Sequence, residues 1–284
     1  FGQTILEEGP KWHKGKQGTP TMGGIMFIVA IVVVTMISTV IYAFTGADLV
    51  NSFFADIPRE CMFIFCGLGL AVANGFIGFI DDYIKVVMKR NLGLRAWQKM
   101  FGQIIVTGIF AYYLINYTQI GTSMLIPFTH GKYLNLGVFF IPAVFIILLG
   151  TVNGANFTDG LDGLASSVTV LIATFFTVAA IGMGHNDLAT GIWPVSCATV
   201  GSLLGFLVFN VYPARVFMGD TGSLALGGFV AATALMLRLS LFIPIVALIY
   251  MIEVLSVMAQ VLYFKMTKGK RLFKMAPIHH HFEL

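Results

Sequence analysis

Five aspartates in three separate stretches carry the residue types that could do chemistry here. Residues 75–85 read GFIGFIDDYIK, so an apolar run ends in the adjacent pair Asp81 and Asp82, with Lys85 one turn further on. Residues 153–163 read NGANFTDGLDG and hold Asn156, Asp159 and Asp162. Residues 210–223 read NVYPARVFMGDTGS and hold Asn210, Phe217 and Asp220. Adjacent carboxylates repel each other and are costly to desolvate beside an apolar helix. A lone Asp at a helix start is more often a cap than a catalyst, and Asp81 could pair with Lys85 at i,i+4 on a solvated helix end. Against that reading, all five are embedded in Gly, Asn and Thr, not in ordinary charged loop sequence.

Clustered carboxylates repel an anionic substrate unless a cation stands between them. Carboxylate, carbonyl and phosphate oxygens suit Mg²⁺, with Mn²⁺ as the alternative. DGLDGLASS and GDTGSLALGG both run through glycines into apolar sequence, which supplies helix N-termini with free N–H groups and suits a diphosphate. No GxxxxGK[ST] and no GxGxxG is present, which argues against an ATPase, and no HExxH is present to hold a peptidase zinc. KGKQGTPTMGG (14–24) adds Lys16, Thr19 and Thr21 on a Gly/Pro turn within reach of a phosphate. MAPIHHHFEL closes the chain, and three histidines followed by Phe-Glu-Leu make a poor affinity tag. Consecutive residues cannot share one helix face, so at most two of His279, His280 and His281 should face a site.

The elements that position these residues must lie in a membrane. The chain of 284 residues is 57% hydrophobic and only 11% charged, whereas soluble domains carry about 25% charged residues. A spanning helix needs about 20 mostly apolar residues, and eight stretches qualify: roughly 22–44, 60–80, 100–117, 137–154, 164–182, 191–209, 223–237 and 240–264. Such long continuous runs exclude barrel strands. The expectation is an all-α, polytopic helical bundle forming one transmembrane catalytic domain over 1–284. The stretch 223–237 is the shortest and is Gly-rich. Cys61, Cys66 and Cys197 lie in apolar runs and read as small buried hydrophobes, without disulfide or metal role.

With eight spans, loops alternate sides, and every Lys and Arg except Arg59, Lys132 and Arg238 falls on one side. By the positive-inside rule that side is cytoplasmic, and all five aspartates sit on it. Glu253 is the exception, lying within the last apolar stretch, where an ionisable residue is a functional candidate by default.

GTPTMGG, DDYIK, NxxNFTDGLDGLA, FMGDTGS and APIHHHFE, in that order, resemble the phospho-N-acetylmuramoyl-pentapeptide transferase family of the polyprenyl-phosphate N-acetylhexosamine-1-phosphate transferase superfamily. PIHHHFE separates it from relatives that transfer GlcNAc-1-phosphate. The resemblance runs from about residue 9 to the end. It implies ten spans with both termini outside, so that the family's first and last helices would lie beyond this chain, which also does not begin with Met.

The resemblance further implies Mg²⁺-dependent transfer of phospho-MurNAc-pentapeptide from UDP-MurNAc-pentapeptide to undecaprenyl phosphate. The products would be lipid I and UMP, formed at the cytoplasmic face of the bacterial inner membrane. Asp220 would be the metal ligand. Asp81 and Asp82 would lie near the lipid phosphate, with Asp81 as its base. Asn156, Asp159 and Asp162 would order the cytoplasmic face and the nucleotide. Phe217 would stack on uracil in a pocket lined by Asn210, Gly160 and Leu161. Lys16, Thr21, Lys85 and His279 would contact phosphates or the catalytic loops, with His279 counted as catalytic and His280 and His281 as substrate-binding. Expected partners are the two substrates, the bilayer and a second copy in a homodimer, with no nucleic acid. Two rivals stand beside this reading. One is a sibling that transfers GlcNAc-1-phosphate; the other is an ion-coupled transporter, whose acids would lie nearer the midplane.

Overall fold

A computed structural model describes residues 18–45, 59–88, 93–118, 120–183 and 187–283. Long apolar runs become helices because a helix satisfies its own backbone polar groups, which lipid cannot do. The helices in chain order are α1 (Gly24–Thr45), α2 (Arg59–Val86), α3 (Ala96–Tyr117), α4 (Phe140–Thr158), α5 (Leu164–Gly182), α6 (Asp187–Asn210), α7 (Gly219–Met236), α8 (Ile243–Val246), α9 (Leu248–Met266) and α10 (Ile278–Glu283). Among the described residues, seven helices are long and apolar enough to cross a membrane. Large apolar side chains such as Phe76, Ile109, Ile146, Val208 and Met258 line the bundle's outer surface. That is the expected face toward lipid.

The remaining long helix, α7, corresponds to the predicted stretch 223–237 and sits at the centre. Every residue from Thr221 to Met236 is buried. Its small residues serve close packing, not lipid contact. A Cβ at Gly222 would stand 3.0 Å from Gly24 Cα of α1, one at Gly227 2.5 Å from Val152 Cα of α4, and one at Gly228 3.1 Å from Ala71 Cα of α2. The Gly-rich composition that made this stretch look weak as a span is what lets three helices surround it.

Several expectations change in detail. The last stretch, predicted as one run over 240–264, is broken: a 3-10 turn (Ser240–Phe242) and the short α8, with Pro244 in its first turn, precede α9. The α3 helix begins four residues before the predicted start, which brings Lys99 onto it. A short antiparallel hairpin, β1 (Ser123–Leu125) with β2 (Tyr133–Asn135), lies between α3 and α4 and is the one sheet among the described residues. Leu125 N–H donates to Arg238 O at 2.8 Å, so the hairpin is tied to the end of α7. Cys197 is exposed on α6 rather than buried, and Cys66 is half-buried. The side chain of Cys61 lies outside the described residues.

Candidate active site

The α2 helix runs for 28 residues, about 42 Å at 1.5 Å per residue. That exceeds a hydrocarbon core of about 30 Å, and Asp81, Asp82 and Lys85 lie in its last two turns. Gly78 lets α2 approach α7 closely: a Cβ there would lie 2.1 Å from Asp220 O. This contact brings the aspartate pair against the start of α7.

The two adjacent aspartates then divide their work. Asp82 caps α7 from another helix: its carboxylate accepts Asp220 N–H at 3.2 Å, Thr221 N–H at 2.8 Å and the Thr221 hydroxyl at 2.6 Å. The residue at α7's own N-cap position, Met218, offers no side-chain bond. Gly219, at φ +71°, makes room for this carboxylate, since a Cβ there would lie 2.5 Å from Asp82 Oδ2.

Asp81 faces a different set. Its Oδ1 accepts Leu94 N–H at 2.6 Å, and its Oδ2 meets Lys85 Nζ at 2.5 Å and Lys99 Nζ at 3.0 Å. Both ammonium groups also reach Asp220 Oδ2, Lys85 at 3.0 Å and Lys99 in a short contact. Asn156 holds the other oxygen: its Nδ2 donates to Asp220 Oδ1 at 3.0 Å and to Ser223 Oγ at 2.9 Å. One oxygen from each of Asp81, Asp82 and Asp220 lies within 4.8 Å of the others. All three aspartates therefore form one oxygen-rich cluster, whereas the sequence reading named Asp220 alone as metal ligand. Three hard carboxylate donors at this spacing fit a divalent cation of the Mg²⁺ class.

Asp159, the C-cap of α4, stands close to this charge. Part of its surface still meets solvent, yet burial is the largest cause holding its pKa well above the carboxylate range, followed by the negative charges of Asp220, Asp82 and Asp162. Asp162 Oδ2 accepts Ala214 N–H at 3.0 Å and so ties the 159–163 loop to the 211–218 loop. Asn210 is buried and used by the fold: it accepts from Ser166 Oγ at 2.8 Å and donates to Val216 O at 2.9 Å. Phe217 is half-buried, and its N–H donates to Pro20 O at 2.8 Å. Thr21 lies beside Gly219, where a Cβ would meet its Oγ1 at 3.1 Å. Lys16 lies outside the described residues.

At the C-terminal end, only His279 of the three histidines is buried. Its ring lies against Gly160, where a Cβ would stand 2.1 Å from Nε2. His280 Nδ1 pairs with Glu283 at 2.7 Å, and His281 Nδ1 accepts Lys274 N–H at 3.1 Å. Leu161 is half-buried in the adjoining turn.

Sequence reasoning left three residues out of the site: Lys99, Thr221 and Ser223. Lys99 had a signal, because Lys99, Gln103 and Thr107 recur every fourth residue of α3, a polar stripe inside an apolar span. Gln103 and Thr107 are fully buried, and Gln103 accepts Asn153 Nδ2 at 2.8 Å.

The chain matches the model of glycosyl transferase family 4 over residues 63–238, and residues 16–28 match phospho-N-acetylmuramoyl-pentapeptide-transferase signature 1. It is 50% identical to the phospho-N-acetylmuramoyl-pentapeptide-transferase of Clostridium kluyveri, covering 100% of this chain and 82% of that one. A protein of the same name from Clostridium botulinum is 50% identical over 100% of this chain and 79% of its own. Another from Clostridium perfringens is 48% identical over 100% and 80%. With the motif-bearing loops converging on one site and this similarity running along its whole length, the chain belongs to the phospho-N-acetylmuramoyl-pentapeptide-transferase family, and it is a multi-pass membrane glycosyl-1-phosphate transferase.

Proposed function

We propose that the protein transfers phospho-MurNAc-pentapeptide from UDP-MurNAc-pentapeptide to undecaprenyl phosphate with Mg²⁺ as cofactor, giving lipid I and UMP for peptidoglycan synthesis. The observation that carries this reading is the cluster itself. Three carboxylates, two ammonium groups and one carboxamide from α2, α3, α4 and α7 meet at the C-terminal end of α2, which would stand at the boundary of the apolar layer. A soluble nucleotide diphosphate and a lipid phosphate can meet only at such a boundary. On the positive-inside argument it is the cytoplasmic face of the bacterial inner membrane.

Asp81, Asp82 and Asp220 would hold the Mg²⁺. When bound, the ion would offset carboxylate and phosphate charge and polarise phosphoryl oxygens. Lys85 and Lys99 sit between Asp81 and Asp220 on side chains that are partly exposed, so they can turn their charge toward substrate phosphates. A phosphate monoester has its second pKa near 6, so at neutral pH the lipid phosphate is already largely ionised and needs little help from Asp81 as a base. The favoured step is in-line attack of a lipid-phosphate oxygen on the sugar-bearing phosphorus. The P–O bond to UMP breaks, and UMP leaves with the electron pair. Positioning and charge neutralisation supply most of the catalysis. Asn156 keeps Asp220 oriented toward the cluster. Phe217, on the loop that Asp162 and Asn210 brace, is offered to the uracil.

The test is UMP release in detergent with undecaprenyl phosphate, using UDP-MurNAc-pentapeptide and, separately, UDP-GlcNAc. Release that EDTA abolishes and Mg²⁺ restores, with the first donor alone, is the expected result. Release with UDP-GlcNAc alone would move the protein to GlcNAc-1-phosphate transfer, and a phosphorylated enzyme trapped in a single turnover would replace direct attack by a covalent route.

A further inference from the structure

Glu253 is a carboxylate in the second turn of the apolar helix α9, 3% exposed. Such a group is expensive to bury unless something specific answers it. Its Oε2 lies 3.1 Å from His279 Nδ1, with both side chains almost wholly enclosed. The contact is at ion-pair distance but not aligned as a hydrogen bond, and neither ring nitrogen of His279 finds another partner among the described residues.

The opposite side of the ring is equally constrained. Gly160, in the turn between Asp159 and Asp162, has no Cβ, and any side chain there would run into Nε2. The imidazole is therefore clamped between a carboxylate on α9 and the backbone of the DGLDG turn. A third link fixes the clamp's frame: Ser256, three residues after Glu253, donates to Glu253 O at 2.7 Å and accepts Ile278 N–H at 3.0 Å. This holds the start of α10, and hence His279, to the same turn of α9 that carries the carboxylate.

We infer that Glu253 is a positioning residue for the transfer reaction: through Nδ1 it sets the rotation and tautomer of His279, so that Nε2 is presented to the Gly160 side of the nucleotide diphosphate site. The inference rests on the transferase reading above. A carboxylate facing one ring nitrogen favours the proton there and leaves the other nitrogen's role defined. Nε2 is then the free acceptor of a neutral ring, or a second donor once the ring is protonated. It is buried and aimed at the turn that leads into α5, which is where an approaching phosphate or ribose group would need a fixed partner.

The full chain in detergent is assayed by Mg²⁺-dependent UMP release as wild type, Glu253→Gln, His279→Gln and the double variant. Expected is a fall in kcat of about tenfold or more for Glu253→Gln, with KM for the nucleotide and the melting temperature nearly unchanged. The double variant should be no slower than His279→Gln alone, since a residue acting through another adds nothing once that one is gone. Losses that multiply, or wild-type kcat in Glu253→Gln, overturn the inference.

A second measurement needs no variant of Glu253 to fold. Imidazole ¹⁵N NMR of the wild-type protein, with the His279 signal assigned by its absence in His279→Gln, should show the proton on Nδ1. A neutral ring protonated at Nε2 overturns the proposal. If the wild type released no UMP, the transferase reading would fail instead, and the NMR result would still decide whether Glu253 orients His279.

Discussion

Asp82 and Thr221 are 139 residues apart in sequence, and the carboxylate of the first accepts both the backbone N–H and the hydroxyl of the second. The helix that begins at Gly219 is thus capped by the neighbour of Asp81. Asp82 fixes the start of α7 besides joining the cluster, whereas Asp81 has no part in that cap.

This division separates the two aspartates experimentally. Asp82→Ala leaves buried N–H groups of α7 without their acceptor, and charged hydrogen bonds of this kind are worth about 1.5–3 kcal/mol each. We expect it to lose at least about 2 kcal/mol of stability together with activity. Thr221→Val, which keeps the N–H bond and loses only the hydroxyl, should lose about 1 kcal/mol. Thermal unfolding in detergent measures both, and an unchanged melting temperature in Asp82→Ala would show that the cap is dispensable.

Lys99 is the residue whose substitution should separate charge from scaffold. It contacts both Asp81 and Asp220 and lies on α3, outside the α2–α7 contact that builds the cluster. Lys99→Met keeps the aliphatic stem and removes the ammonium. Loss of one fixed charge stabiliser typically lowers turnover about 10²–10³-fold, and we expect that range with little change in melting temperature. Turnover within about twofold of wild type would remove Lys99 from the reaction.

The apolar runs made the helices legible, because length and hydrophobicity alone decide what can lie in lipid. The acid-rich loops were legible too, since Asp, Gly and Asn beside apolar helices have few other uses. Residues 223–237 were harder, because a helix enclosed by other helices needs small side chains more than apolar ones, and Gly227 and Gly228 read as weakness in one dimension. The break before α9 was hidden by Ile, Leu and Phe on both sides of Pro244, which look like one continuous span. What no pattern in the sequence carried was the pairing across the bundle. The i,i+4 spacing offered Lys85 to Asp81, but nothing local says that Asp82 caps α7 or that Asp81 also takes Lys99, and nothing near Glu253 names His279 as its neighbour.

Gly78 tests whether the α2–α7 approach positions the cluster. Gly78→Ala places a methyl group against the Asp220 carbonyl, where backbone and not a flexible side chain must move. Overpacking of this kind costs about 1–3 kcal/mol, and we expect that loss plus a drop in activity, because Asp220 moves with its own carbonyl. Gly69 sits on the same helix with open space around its Cα. Gly69→Ala should therefore be neutral or more stable by up to about 1 kcal/mol. Equal effects at the two positions would show that helix propensity, not the close approach, governs both.

Asp159 gives a pH dependence whose sign follows from its surroundings. Burial, and then the charges of Asp220, Asp82 and Asp162, raise its folded-state pKa well above the unfolded value, which is about 3.9. Between those two values the folded state holds the extra proton, so stability falls as pH rises through the window and then levels off above the folded pKa. Asp159→Asn has no such proton to lose. In chelator, to keep divalent ions off the neighbouring carboxylates, the melting temperature of the variant should gain on that of the wild type as pH is raised from about 4 toward neutrality and beyond. Groups remote from Asp159 cancel in that difference, whereas Asp220, Asp82 and Asp162, which share its charge interactions, shift with it. Melting curves that stay parallel across the range would mean that Asp159 titrates alike in the folded and unfolded chain, and that the crowding of acids around it carries no cost.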